Sequence, residues 1–119
     1  MYFFDSYALI EIIRGNFSYE KYKVEVPTCT ILNLFELHQA LVREFNKQTA
    51  DYWIKRFNYN LIEITKEDAI NASDFKFANK DKKLSTVDCI GYVVAIKNKL
   101  KFLTGDKEFA EIDNVEYIK

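Results

Sequence analysis

The stretch Leu84-Ser85-Thr86-Val87-Asp88-Cys89-Ile90-Gly91-Tyr92-Val93-Val94-Ala95-Ile96-Lys97-Asn98-Lys99-Leu100-Lys101-Phe102-Leu103-Thr104-Gly105-Asp106 decides the fold class. Ser85 is a preferred helix N-cap. Apolar residues fill nearly every position through Ile96, so the helix predicted over 86–99 is buried on most sides. Residues 101–104 then read as a strand, and 106–110 as a short turn or helix. A buried helix feeding a buried strand is half of a βαβ unit.

The rest of the chain repeats the alternation. Residues 2–4 form a short apolar run that stops at Asp5 and read as a buried strand. Residues 6–14 follow as a helix, with Leu9, Ile10 and Ile13 on one side and Gly15 as its stop. Residues 24–26 read as a short strand halted by Pro27. Residues 28–46 read as a longer helix with Leu34, Leu37, Leu41 and Phe45 as its core stripe. Residues 48–57 complete a helical hairpin, with Tyr52, Trp53 and Phe57 facing inward or toward a partner copy. Residues 60–64 suit a strand. Thr65 caps a helix to about residue 79, with Glu67 and Asp68 favourable near its start. Residues 79–83 are a charged loop and 115–118 a last strand. The expectation is one α/β domain over 1–119 with a mainly parallel central sheet.

Composition narrows the function. With 49% hydrophobic and 16% aromatic residues the chain can build a real core, which excludes disorder. The opening Met1-Tyr2-Phe3-Phe4-Asp5 has neither the basic stretch nor the apolar run of a secretory signal, and no segment approaches the roughly 18 apolar residues that span a bilayer. A cytoplasmic protein without membrane attachment is expected. Cys29 and Cys89 lie far apart and read as small buried hydrophobes, although sequence alone leaves a disulfide open. Net charge is −1, so any nucleic-acid contact must use local positive charge or a bound cation.

Ligands of parallel sheets sit beyond the carboxyl ends of the strands. Asp5 ends one strand, Asp106 follows another, and Asp88 opens the helix that precedes it. Each acid has an ordinary alternative: Asp5 and Asp106 as caps, Glu36 as an exposed helical glutamate, Asp88 as partner of Ser85 in a capping box. Asp88 fits the ordinary reading least, because Val87, Cys89, Ile90, Gly91, Tyr92, Val93 and Val94 surround it. A buried carboxylate needs a cation, donors or a shifted pKa. If the four acids meet, carboxylates about 4 Å apart repel by roughly 4 kcal/mol per pair at an effective dielectric near 20. An all-oxygen ligand set favours Mg²⁺ or Mn²⁺.

The motifs resemble those of the PIN-domain nucleases, most closely VapC-type toxins. Phe4-Asp5-Ser6-Tyr7-Ala8-Leu9 is similar to the family's opening strand, acid and hydroxyl. Asn33-Leu34-Phe35-Glu36-Leu37 is similar to its helix-borne glutamate, and Leu84-Ser85-Thr86-Val87-Asp88-Cys89-Ile90 to its third acid. Phe102-Leu103-Thr104-Gly105-Asp106-Lys107-Glu108-Phe109 resembles its closing Thr-x-Asp segment. The resemblance spans essentially the whole chain. It implies a three-layer α/β/α domain and Mg²⁺- or Mn²⁺-dependent cleavage of RNA. Asp5, Glu36, Asp88 and Asp106 would be the catalytic and metal-holding acids. Ser6 and Thr104 would be hydroxyls that orient them, and Glu108 an extra acid at the rim. It also implies a homodimer and a small antitoxin protein that covers the site. The chain departs from many relatives in its short length and in Asn98-Lys99, where they carry a Gly before the last core strand.

Positive residues that suit phosphate contact are Arg14, Arg43, Lys80, Lys82, Lys83 and Lys107, with Arg43 two helical turns from Glu36. The Lys80-Asp81-Lys82-Lys83 cluster reads as a solvated loop, and His38 as packing or surface. The alternatives to a toxin nuclease are a non-catalytic PIN-fold scaffold and a housekeeping RNA-processing nuclease. A signalling receiver would need an acid beside Asp5, and none is there.

Overall fold

The computed structural model describes all residues, 1–119. Its sheet contains β1 (Tyr2–Phe4), β2 (Thr28–Cys29), β3 (Asn60–Leu61), β4 (Lys101–Thr104) and β5 (Val115–Tyr117). The spatial order is β3-β2-β1-β4-β5, and every neighbouring pair is parallel. Five α-helices connect the strands: α1 (Ser6–Arg14), α2 (Ile31–Glu44), α3 (Lys47–Arg56), α4 (Lys66–Ala78) and α5 (Thr86–Lys97). No helix is long and apolar enough to cross a membrane.

The two central strands carry the core. Phe3 and Phe4 of β1 and Phe102 and Leu103 of β4 are all fully buried. Register pairs Phe3 with Phe102 and Phe4 with Leu103, and strand alternation sends these pairs to opposite faces. α5 packs on the Phe3–Phe102 face. Gly91 makes this possible, because a Cβ there would lie 3.1 Å from the Phe3 ring and 3.3 Å from the Phe102 ring. α1 and α2 run side by side in the same direction: Ser6 bonds Glu36 at one end and Arg14 bonds Glu44 at the other, each pair 30 residues apart.

The chain leaves β1 toward β2 and β3, then returns to β4 and departs to β5 on the other side. Connections from adjacent β1 and β4 thus diverge at their carboxyl ends. That divergence is a topological switch point, where parallel sheets place their ligand crevice.

Several expectations need correction. The strand predicted over 24–26 lies after Pro27 instead, at Thr28–Cys29. The helix predicted from residue 28 begins at Ile31. Pro27 lacks the N–H that a ladder uses and is tolerated just before the first strand residue. The third strand is two residues long rather than five. Residues Phe17–Val24, left unassigned by periodicity, form a 3₁₀ helix. Tyr19 and Tyr22, three residues apart, share its buried side, as expected where i and i+3 eclipse. Tyr52 (51% exposed) and Phe57 (43%) are not core residues. They form a surface aromatic cluster with Trp53, whose ring stacks on Phe57 at 4.3 Å. Cys29 and Cys89 are buried and free.

Candidate active site

Asp5 follows β1 directly, and its backbone N–H donates to the Leu103 carbonyl at 3.0 Å, which continues the β1–β4 ladder. This fixes the carboxylate at the switch point, where it is 3% exposed. The Thr104 hydroxyl donates to Asp5 Oδ2 at 2.7 Å and accepts the Asp106 backbone N–H at 3.1 Å. One side chain at the end of β4 therefore sets the position of two of the acids. Gly105 is required between them: a Cβ there would lie 2.3 Å from the Ile118 carbonyl oxygen and 2.4 Å from the Tyr7 ring. Asp106 accepts the Glu108 N–H at 3.0 Å and caps the 3₁₀ turn Lys107–Phe109.

Glu36 is held from the side. The Ser6 hydroxyl donates to its Oε1 at 2.7 Å, and Asn33 Nδ2 donates to the Ser6 hydroxyl at 3.1 Å. Asn33 Oδ1 in turn accepts the Thr30 N–H at 2.9 Å and the Thr30 hydroxyl at 3.0 Å. Asn33 is fully buried. Its positioning role was missed in the sequence, where it appears only as the first residue of the motif that carries Glu36. Its spacing three residues after a Thr and three before the candidate Glu was the available signal.

Asp88 sits at the third position of α5. Its Oδ2 accepts the Ser85 N–H at 2.8 Å, and its own N–H donates to the Ser85 hydroxyl at 3.0 Å. The capping-box reading is therefore correct, and it uses only part of the carboxylate's acceptor capacity.

The acids feel one another. Burial, then repulsion from Asp88, push the Asp5 carboxyl up to about 8, with Glu36 adding to the rise and the Thr104 hydroxyl opposing it. Burial also raises Asp88, aided by Glu36 and Asp106 and opposed by its bonds to Ser85. None of the chain's ion pairs involves Asp5, Glu36, Asp88 or Asp106. No three His, Cys, Asp or Glu side chains stand close enough to enclose an ion jointly. The acids form an open, uncompensated group rather than a closed cage.

The basic candidates separate. Arg14 binds Glu11 at 2.6 Å and Glu44 at 2.5 Å at the far end of α1, about 12 Å along the helix from Ser6 at 1.5 Å per residue. It ties helices together and does not face the acids. Arg43 shares an open groove of about 400 Å³ with Ser6 and Glu36. Lys107 is exposed beside Asp106. His38 joins Asp51 at 2.7 Å across α2 and α3, away from the acids.

A family model for the PIN domain matches residues 2–115. The chain belongs to the PIN-domain family. Among solved structures, one neighbour is a toxin–antitoxin complex from Klebsiella pneumoniae. It has a TM-score of 0.74 and 19% identity, with 99% of this chain and 100% of that one covered. The Mycobacterium tuberculosis toxin VapC20, which cleaves the sarcin–ricin loop, also has a TM-score of 0.74. Its identity is 16%, with 98% and 99% of the two chains covered. At these identities the likeness is one of fold. No curated protein sequence matches the chain. In this PIN domain Asp5 and Asp106 follow the carboxyl ends of β1 and β4, Thr104 bonds Asp5, and Ser6 bonds Glu36.

Proposed function

We propose that this PIN domain is a Mg²⁺- or Mn²⁺-dependent endoribonuclease, acting in the cytoplasm as the toxin of a toxin–antitoxin pair. One observation carries the reading. Asp5 is buried, repelled by Asp88 and Glu36, and has no cationic side chain to balance it. A bare buried carboxylate group of this kind is costly unless a cation joins it. The donor set is all oxygen, which fits Mg²⁺ or Mn²⁺, and Mg²⁺ needs only one or two carboxylates because it retains waters.

Asp5, Glu36, Asp88 and Asp106 would hold the ion. When bound, such an ion supplies a more acidic water and balances charge on a phosphodiester. The chain's own contribution is orientation. Thr104 locks Asp5 against the Asp106 backbone, while Ser6 and Asn33 lock Glu36. Fixed carboxylates lose little freedom when substrate arrives. Arg43, which shares a groove with Glu36, and the exposed Lys107 would contact phosphates of the RNA strand.

Two further parts of the proposal concern partners. The Klebsiella pneumoniae neighbour is a toxin–antitoxin complex, which supports a small antitoxin as partner here. The exposed cluster of Tyr52, Trp53 and Phe57 supports a homodimer, since exposed aromatic groups are typical of interfaces.

Calorimetric titration with Mn²⁺ tests the metal centre. Wild type should bind, and Asp88→Asn should bind at least about tenfold more weakly, a loss of about 1.4 kcal/mol. RNA cleavage should fall with it. No binding at millimolar Mn²⁺ would leave a non-catalytic PIN scaffold as the better reading, and full cleavage by metal-saturated Asp88→Asn would overturn the assignment of the metal centre to these acids.

A further inference from the structure

We propose that the end of α4 and the loop after it form a handhold for single-stranded RNA, with Phe77 as a base-stacking platform and Lys80 and Lys82 as phosphate contacts. This rests on the ribonuclease reading and names where its substrate is gripped outside the acids.

A surface cavity of about 380 Å³ here is lined by Ser73, Lys76, Phe77, Lys80 and Lys82, with no acid among them. In a chain of net charge −1 that is a local concentration of positive charge. Phe77 is 71% exposed. Phe75, two residues earlier, instead stacks on Tyr92 inside the molecule at 4.5 Å. Packing therefore does not account for the second phenylalanine. The Lys80 Nζ lies 4.8 Å from the Phe77 ring centroid, so an aromatic face and a cation are presented together. Neither Lys80 nor Lys82 joins an ion pair. An aromatic face beside free lysines is the pairing that holds single-stranded nucleic acid, stacking a base while the cations track the backbone.

The patch has a fixed relation to the acids. α5 leads into β4, so its N-terminus, with Asp88, lies over the carboxyl edge of the sheet. α4 packs against α5 as its hairpin partner, which brings the end of α4 to that same edge. The Lys76 ammonium donates to the Leu84 carbonyl at 2.5 Å and ties α4 to the segment entering α5. The Lys83 N–H donates to Glu108 Oε1 at 3.0 Å, two residues from Asp106. The loop is thus tied to the segment entering α5 and to the turn after Asp106, which sets the Phe77 patch at the same edge of the sheet as the acids.

The test is fluorescence anisotropy of 5′-fluorescein-labelled oligouridylate with the full chain, in EDTA so that no cleavage occurs. Phe77→Ser should weaken binding by about fivefold or more, the scale of one lost base stack. Lys80→Glu combined with Lys82→Glu should weaken it further. That variant should also lower the slope of log affinity against log salt by at least about 1.4, at about 0.7 per phosphate contact on single strands. Thermal melting and Mn²⁺ calorimetry on the same variants should match wild type. Unchanged RNA affinity in both variants overturns the proposal even if cleavage persists. Phe77-dependent RNA binding in a protein that takes no Mn²⁺ supports the handhold and overturns only the nuclease reading. An oligoglutamate that binds as tightly as RNA, and whose affinity falls only in the lysine variant, would assign the patch to an acidic protein and overturn the RNA assignment.

Discussion

Two helices of this domain begin with the same device and end in opposite electrostatic states. α4 opens with Thr65 and Asp68, α5 with Ser85 and Asp88, and in both the third residue's carboxylate accepts the cap residue's N–H while the cap hydroxyl accepts in return. Asp68 is 1% exposed, yet Lys97 reaches it at 2.8 Å. Burial raises its pKa, but the Lys97 bond and the Thr65 bonds outweigh burial and hold the carboxyl below its usual range. Asp88 meets Glu36 and Asp106 instead of a lysine, and its carboxyl is raised. A capping box can therefore be completed by the chain itself or left in need of a cation. The neighbours brought by the fold decide which.

Substitutions at the acids break or sharpen this contrast. The largest effect is expected at Asp5, the most isolated of the buried acids. Its folded pKa of about 8 lies above the ordinary 3.8, so its contribution to stability is fully present below about pH 4 and lost as pH rises toward 8. Urea denaturation of the metal-free protein should give a stability that falls across that window. Asp5→Asn should remove most of the fall and leave the variant a few kcal/mol more stable than wild type at pH 8. Saturating Mn²⁺ should also suppress the fall in wild type. A flat wild-type profile would remove the contrast between the two buried acids.

Asp68→Asn should act in the opposite direction. It keeps a capping side chain but breaks the bond to Lys97, and a loss of roughly 1.5–3 kcal/mol is expected for a charged hydrogen bond, at the low end because Lys97 is 45% exposed. Mn²⁺ affinity should not change. The stability that Asp68 gives wild type is present above its unfolded pKa and is lost as pH falls through its lower folded value. The sign of the pH dependence, read in acid, separates it from Asp5.

Asp88→Asn should show the smallest stability change. It relieves repulsion from Glu36 and Asp106 while an amide oxygen can still accept the Ser85 N–H. Metal-free protein should be slightly stabilised at neutral pH, by less than in Asp5→Asn, because Asp88 is only half-buried. A clear destabilisation would make Asp88 a structural acid like Asp68.

Much of the fold was legible in the sequence. Helices with a cap and a sustained apolar pattern, 6–14, 65–79 and 86–99, fall within two residues of their observed ends. The strands at 2–4 and 101–104 match, because the apolar pairs Phe3-Phe4 and Phe102-Leu103 within them are buried on both faces of the sheet. The second and third strands were misplaced or overextended. With two residues each they carry no periodicity, and their ladder bonds come from distant chain. Phe17–Val24 escaped for a related reason, since helical or strand period is not the signal of a 3₁₀ segment.

The residue types and their order along the chain were set by sequence alone: two apolar strands each followed by an acid, a helix-borne Glu36, and a capped, apolar helix carrying Asp88. Local chemistry suffices for these, because caps and periodicities are short-range. Tertiary structure alone decided which acids would go uncompensated. Lys97 lies 29 residues from Asp68 and Thr104 lies 99 from Asp5, and no local pattern links them. A carboxylate's charge state depends on what surrounds it in space: the packing of α4 on α5 placed Lys97 beside Asp68, and the fold around the switch point placed Glu36 and Asp106 beside Asp88.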